Sequence, residues 1–296
     1  MPAPFVLLLL SIVAVWLPSV PVNRARGWRV APWLVLYAAA IGLALLQGVV
    51  SVTGAAALAM LVLLADTLGR QTRPALQGLV FAALLLLVGA LCLHAVPGFR
   101  NPIAIDAVRF SEDARPFTQY LNFDKGSVGL VLLALLAPRL RREDAVARTL
   151  GSTLLLTVAV AGLALGLAVA LGMIRWDPKW PPQTLQFLVT NLLLTCVAEE
   201  ALFRVMVQDK LATGARSVMP QRIHTIVPTG LGIVVSALLF GAVHAGGGLG
   251  MIVVAAVAGL GYAVAYHWQR RIEVAVLVHF GVNALHFVLF TYPLKA

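Results

Sequence analysis

Two adjacent glutamates, Glu199 and Glu200, lie inside an apolar run, with Arg204 four residues beyond the second. Glu200 and Arg204 are at i and i+4, so on a helix they share a face and can pair. Glu199 is turned about 100° away, because an α-helix has 3.6 residues per turn. One carboxylate is then tied to a cation while the other is left over, and a spare carboxylate suits general acid/base work on a water molecule. The alternative is a polar clamp between helices, but two acids against one arginine are wasteful for a clamp. Two later apolar segments each carry a histidine in an i, i+4 pair: Phe240 with His244, ahead of Gly246–Gly248, and His279 with Asn283. Histidine and asparagine can both donate hydrogen bonds to an oxyanion. His286 falls one turn beyond Asn283 and reads as packing or support.

The surroundings make these residues costly. The chain has 296 residues, of which 60% are hydrophobic and 11% charged, whereas a soluble domain is about 25% charged. A charge at bilayer depth costs about 2.5–3.5 kcal/mol on insertion scales. Glutamate, arginine, histidine and asparagine in separate apolar segments therefore need partners, and read together as one buried polar site.

The elements that must position them read as an all-α, polytopic transmembrane helical bundle. About ten spans fit the ~20-residue requirement: residues 4–21, 31–50, 52–68, 78–97, 126–138, 149–174, 183–207, 227–245, 248–266 and 272–291. The third and fifth are the weakest. The opening run has no basic segment ahead of it and no clear cleavage site, so it reads as a retained span. Residues 1–148 carry few intramembrane polar groups (Asp66, His94), and 149–296 carry nearly all of them. The connection 98–125 is the one sizeable extramembrane piece. Its Pro, Asn and Asp predict turns, and its aromatics (Phe99, Phe110, Phe117, Tyr120, Phe123) predict packing onto the membrane surface, as an ordered connector or a lid.

The net charge of +10 could suggest nucleic acid, but the placement of the basic residues argues for membrane orientation and no nucleic-acid partner. Alternate loops hold Arg24, Arg26 and Arg29; Arg70 and Arg73; Arg139, Arg141, Arg142 and Arg148; Lys210, Arg216 and Arg222; Arg270 and Arg271, which is 14 of the 22 basic residues. By the positive-inside rule that face is cytoplasmic and both termini are non-cytoplasmic. The expected location is a bacterial inner (plasma) membrane, with the lipid bilayer as a partner. Trp176, Trp180 and Trp268 read as interfacial anchors. Cys92 and Cys196 lack metal-ligand spacing, which excludes a zinc-finger or disulfide framework.

Taken together, Glu199-Glu200-x-x-x-Arg204, then Phe240-x-x-x-His244, then His279-x-x-x-Asn283 resembles the three motifs of the CPBP family of intramembrane proteases. This family includes the CAAX proteases, the Rce1-like and Abi proteins and bacteriocin-processing members. Gly259-Leu-Gly-Tyr262 also looks like the family's small-residue helix between the histidine motifs. The resemblance covers 149–296 and implies a protease core in the C-terminal half, with residues 1–148 outside it. It implies an intramembrane endopeptidase acting on a membrane-associated protein or peptide. In that reading Glu199 is the base that activates water, aided by His244. His279 and Asn283 hold the oxyanion, and Glu200 and Arg204 orient the others.

The resemblance leans towards a glutamate mechanism without a cofactor, although many members carry a metalloprotease label. A catalytic zinc site often uses two His and one Glu, so a metal, if bound, would take Glu199, His244 and His279. No His-Glu-x-x-His helix is present. The competing class is a non-proteolytic transporter or immunity factor using the same polar residues, since buried Glu, Arg and His also mark proton relays. Against it, the two halves show no clear internal repeat of the kind many transporters have. One tension concerns depth. At 1.5 Å per residue, Glu199 and His279 lie about 13 Å and 12 Å from one face, while His244 falls near the opposite face if its helix begins at 227.

Overall fold

The computed structural model describes residues 1–23, 28–140, 146–220 and 226–296. Arg24, Arg26, Arg141, Arg142 and Arg222 of the basic loops lie outside the described residues. A helix occupies each of the ten expected ranges: α1 (Ala3–Val13), α2 (Pro32–Leu46), α3 (Val52–Arg70), α4 (Pro74–Cys92), α5 (Phe123–Leu135), α6 (Val146–Ala170), α7 (Thr184–Ser217), α8 (Ile226–Ala242), α9 (Leu249–Gln269) and α10 (Ile272–Leu289). Proline at the first position of α2 and α4 suits a helix start, where its missing N–H would be unpaired anyway.

Among the described residues, six helices, α3, α4, α6, α7, α9 and α10, are long and apolar enough to cross a membrane. Helices α2 and α8, and α1 with its short 3₁₀ extension to Trp16, are apolar but shorter. The reading of about ten spans thus resolves into six helices of spanning length and several shorter ones. Helix α5 has 13 residues, and Gly126 to Leu133 are all buried. A helix that is apolar all round belongs inside protein, which is why this segment is too short for a span yet continuous as a helix.

The described residues are all-helical apart from two small sheets. Val20–Asn23 (β1) pairs antiparallel with Trp28–Val30 (β2), and Ile103–Val108 (β3) forms a second small sheet with Phe117–Tyr120 (β4). The second sheet falls within the 98–125 connection. Its aromatics do not face a membrane surface as a group: Phe110 and Phe117 pack on Tyr292, and they touch Phe287 and Phe187 respectively. Phe123 is buried against Phe5. Aromatic edge-to-face pairing holds them inward. Trp176, Trp180 and Trp268 are exposed.

The chain forms two compact units that interleave along the sequence. The first comprises Met1–Ala104, Tyr120–Leu136 and Leu193–Ala198; the second comprises Ile105–Gln119, Ala137–Leu192 and Glu199–Ala296. In the first unit, α1 packs on α2, and α3, α4 and α5 pack together. In the second, α6, α8, α9, α10 and the later part of α7 surround a core that includes Phe203, Phe240, Val254, Tyr262 and Val278. Close approach is set by glycine. A Cβ on Gly241 of α8 would come within 2.6 Å of the Ile252 carbonyl on α9, and one on Gly259 would meet the Phe240 side chain at 3.0 Å.

Candidate active site

Helix α7 is not wound uniformly. Asn191–Cys196 and Ala201–Gln208 are π-helical, and one α-helical turn, Val197–Glu200, lies between them. A π-helix bonds i to i+5, is rare, and occurs frequently at functional sites. The two glutamates close that single α-turn, so the unusual winding flanks them on both sides.

The expected Glu200–Arg204 pair forms. Arg204 Nε donates to Glu200 Oε2 at 2.8 Å, and neither side chain has measurable exposure. Glu200 Oε1 sits 2.9 Å from His279 Nδ1 on α10. Both oxygens of this carboxylate are thus committed. Arg204 continues the chain of bonds, with Nη1 donating to Gln208 Oε1 at 3.2 Å and to the Gly259 carbonyl at 3.5 Å. Gln208 Nε2 in turn donates to the Ala263 carbonyl at 3.0 Å. A buried ion pair needs further hydrogen bonds to offset its desolvation; this network supplies them to Arg204 Nε and Nη1 and ties α7 to α9 and α10, while Arg204 Nη2 is buried without a hydrogen-bond partner among the described residues.

His279 is held on its faces as well as at its edge. Tyr262 stacks on it with centroids 4.6 Å apart and planes at 13°, and Phe240 meets it edge-on at 5.5 Å. Its Nε2 lies 4.0 Å from Glu199 Oε2. The imidazole therefore lies between two carboxylates: one sealed, and one, Glu199, with 16% of its side chain exposed.

His244 follows the end of α8, in the turn that leads to Ala245–Gly247. Its Nδ1 donates to the Phe240 carbonyl at 2.7 Å. With Nδ1 carrying the proton, Nε2 of the neutral ring is an acceptor. The ring lies 4.9 Å from Phe240, so a single phenyl group touches both imidazoles of the motif set. Asn283, one turn beyond His279, donates from Nδ2 to Asn191 Oδ1 at 3.2 Å. His244 and Asn283 line one cavity of ≈ 400 Å³, whose walls include Met251, His286, Tyr292 and Leu294.

The six motif residues thus fall into two linked groups. Glu200, Arg204 and His279 form a sealed knot with Glu199 at its edge, and His244 and Asn283 face the cavity. His244 shares that cavity with Asn283. Sequence reasoning missed four participants. Gln208 had a signal, being four residues beyond Arg204. Tyr262 was noted only for its glycine neighbours, His286 was set aside as packing, and Asn191 left no motif at all. Among the described residues, no group of three His, Cys, Asp or Glu side chains is placed to hold a metal ion. Glu200 is taken up by Arg204 and His279.

Residues 181–285 match the family model Rce1-like, described as a type II CAAX prenyl endopeptidase. This stretch is similar to the CAAX protease family. All six motif residues fall inside the matched stretch. The Rce1-like family is a family of proteases, and with six helices of spanning length the chain is an integral membrane protein. No curated protein and no solved structure gives a match.

Proposed function

We propose that the protein is an intramembrane CAAX-type endopeptidase that hydrolyses a peptide bond with water activated by Glu199 and His244. The observation that carries this reading is the division of labour between the two glutamates. Glu200 spends both oxygens on Arg204 and His279, while Glu199 stays partly exposed beside the same imidazole. A carboxylate already tied up on both oxygens is a poor base, and an adjacent one with access to water is a good one.

In this mechanism Glu199 removes a proton from water as the oxygen attacks the scissile carbonyl carbon. His244, with Nδ1 anchored on Phe240, accepts a hydrogen bond from the same water at Nε2. The tetrahedral oxyanion is met by Asn283 Nδ2–H and by His279, which in its doubly protonated form donates from both nitrogens. That form also balances the site, with Arg204 and His279 against Glu199 and Glu200. When the C–N bond breaks, Glu199 passes its proton to the departing amine. The sealed knot makes the donors rigid, which is what electrostatic stabilisation of a transition state requires. We assign the basic loops to the cytoplasmic face of a bacterial inner membrane, with both termini on the other side, on the charge placement described above.

The test uses the full chain in detergent micelles or nanodiscs with a quenched fluorescent, farnesylated CAAX peptide. Wild type is expected to release fluorescence and Glu199→Gln to be silent at equal melting temperature. A comparison of peptide termini from membranes carrying each protein extends the test to natural substrates. Equal turnover by both proteins, or none by either, would overturn the reading.

A further inference from the structure

Helices α7 and α10 meet through a ladder of three side-chain pairs. Phe187 stacks on Phe287 with centroids 4.1 Å apart and planes at 11°. Asn191 accepts from Asn283 at 3.2 Å, and Glu200 bonds His279 at 2.9 Å. From the first rung to the second, four residues forward on α7 match four residues back on α10. From the second rung to the third, α7 uses nine residues while α10 again uses four. The π-helical stretch Asn191–Cys196 begins at the second rung, and its i→i+5 ladder fits more residues into each turn. At the α-helical rate of about 100° per residue, Asn191 would stand about 80° around the helix from Glu199. The slower winding of the π-segment turns it back towards the glutamate side.

We propose that Asn191 is a positioning residue for the peptidase reaction: its Oδ1 fixes the amide of Asn283 so that the second N–H of Nδ2 is presented to the cavity. The proposal rests on the peptidase reading above. Asn191 is 7% exposed, and Asn283 lines the cavity with His244. A free asparagine amide can turn over and offer its oxygen to an oxyanion, which repels it. An acceptor behind Nδ2 disfavours that option, because turning the Asn283 amide alone would set oxygen against oxygen. The aromatic stack one turn away fixes the distance between the two helices, so the bond is held by the packing.

The test compares Asn191→Leu, which is similar in size but accepts nothing, with Asn191→Asp, which keeps an oxygen acceptor. Both are assayed as the full chain on the farnesylated CAAX peptide, with kcat and KM measured separately. Loss of an oxyanion donor costs about 10²–10³ in kcat, so a donor left unoriented should cost roughly tenfold or more. Asn191→Leu is expected to lose kcat by that factor with KM within twofold, and Asn191→Asp to recover most of it. Adding Asn191→Leu to Asn283→Ala should cost nothing further, which a merely structural role would not reproduce. Active wild type with Asn191→Leu within twofold in kcat overturns this proposal alone. So does a loss in the double variant equal to the product of the single losses, or an Asn191→Asp protein as slow as Asn191→Leu at equal melting temperature. Wild type without turnover overturns the peptidase reading and this proposal with it.

Discussion

Asp124 and His94 in the first unit repeat a contact that Glu200 and His279 make in the second. In each, a buried carboxylate oxygen meets an imidazole Nδ1, at 2.7 Å and 2.9 Å respectively. The surroundings differ in every other respect. The second oxygen of Asp124 accepts from Asn101 Nδ2 at 3.1 Å and the Lys125 backbone N–H at 2.8 Å. Asn101 Oδ1 in turn accepts from the Phe123 N–H. Its histidine is 43% exposed and ends α4 in the left-handed region, at φ 56°. This pair fastens the connection between α4 and α5, with a carboxylate in the first turn of α5 where the helix dipole favours it. Glu200 instead faces a guanidinium, its histidine is sealed, and a second carboxylate stands at the other ring nitrogen. A carboxylate–histidine contact is a joint by default. In the proposed reading it becomes chemistry when a second acid shares the ring.

The sharpest way to break this comparison is to neutralise one acid of each kind. Glu199→Gln is expected to reduce turnover by about 10²–10⁴-fold, the usual worth of a general base, with little change in melting temperature. Next in size is Arg204→Met, which leaves Glu200 buried against an apolar chain. Breaking a buried pair in this way costs about 3–5 kcal/mol, read as a lowered melting temperature in detergent. A variant as stable as wild type would show that the guanidinium is not what holds the Glu200 charge. Asp124→Ala should cost less, about 1–3 kcal/mol for the donors it strands, and leave kcat on the CAAX peptide within twofold. A large loss of turnover there would erase the distinction between joint and site.

The smallest effect concerns Asp113, which accepts from Arg175 Nε at 2.9 Å and Nη2 at 3.1 Å outside the spanning helices. That hydrogen bond holds its carboxyl below the usual carboxylate range. A depressed acid contributes stability that is present above its unfolded value, near pH 4, and is lost as pH falls through the folded value. Hydrogen exchange of residues 105–119 should therefore be flat from pH 8 to 5, once corrected for intrinsic rates, and rise only below about pH 4. The pair is exposed and screened, so the change is small. A transition near neutral pH would point to another group.

The residues that carry charge were legible because charge in an apolar run has few innocent explanations. Glu200 and Arg204 pair through the i, i+4 rule, and a helix appears in every apolar range. What escaped notice depends on winding and on distant packing. Nothing in Asn191-Leu-Leu-Leu-Thr-Cys196 marks it as π-helical, so Asn191 could not be aligned with Asn283 by counting. The strand Ile103–Val108 was legible in principle, since Ile103, Ile105 and Ala107 alternate with other residues, but the Pro and Asn around it drew attention to turns. Phe110 and Phe117 look surface-seeking until Phe187, Phe287 and Tyr292 arrive from far along the chain to receive them.

The uneven winding of α7 has a consequence for how the protein tolerates change. Replacing one apolar residue by another within Asn191–Cys196 alters volume and leaves the count intact. Deleting a single residue there would let the segment close to ordinary α-helical pitch, four steps of about 100° in place of five of about 80°, so that everything beyond it keeps nearly the same facing. Glu199 and Glu200 would still be turned towards His279. The same gap in α10, which is α-helical throughout, would turn everything beyond it by about 100°. The π-segment thus holds a residue in reserve, and single-residue gaps should be milder there than between His279 and Asn283.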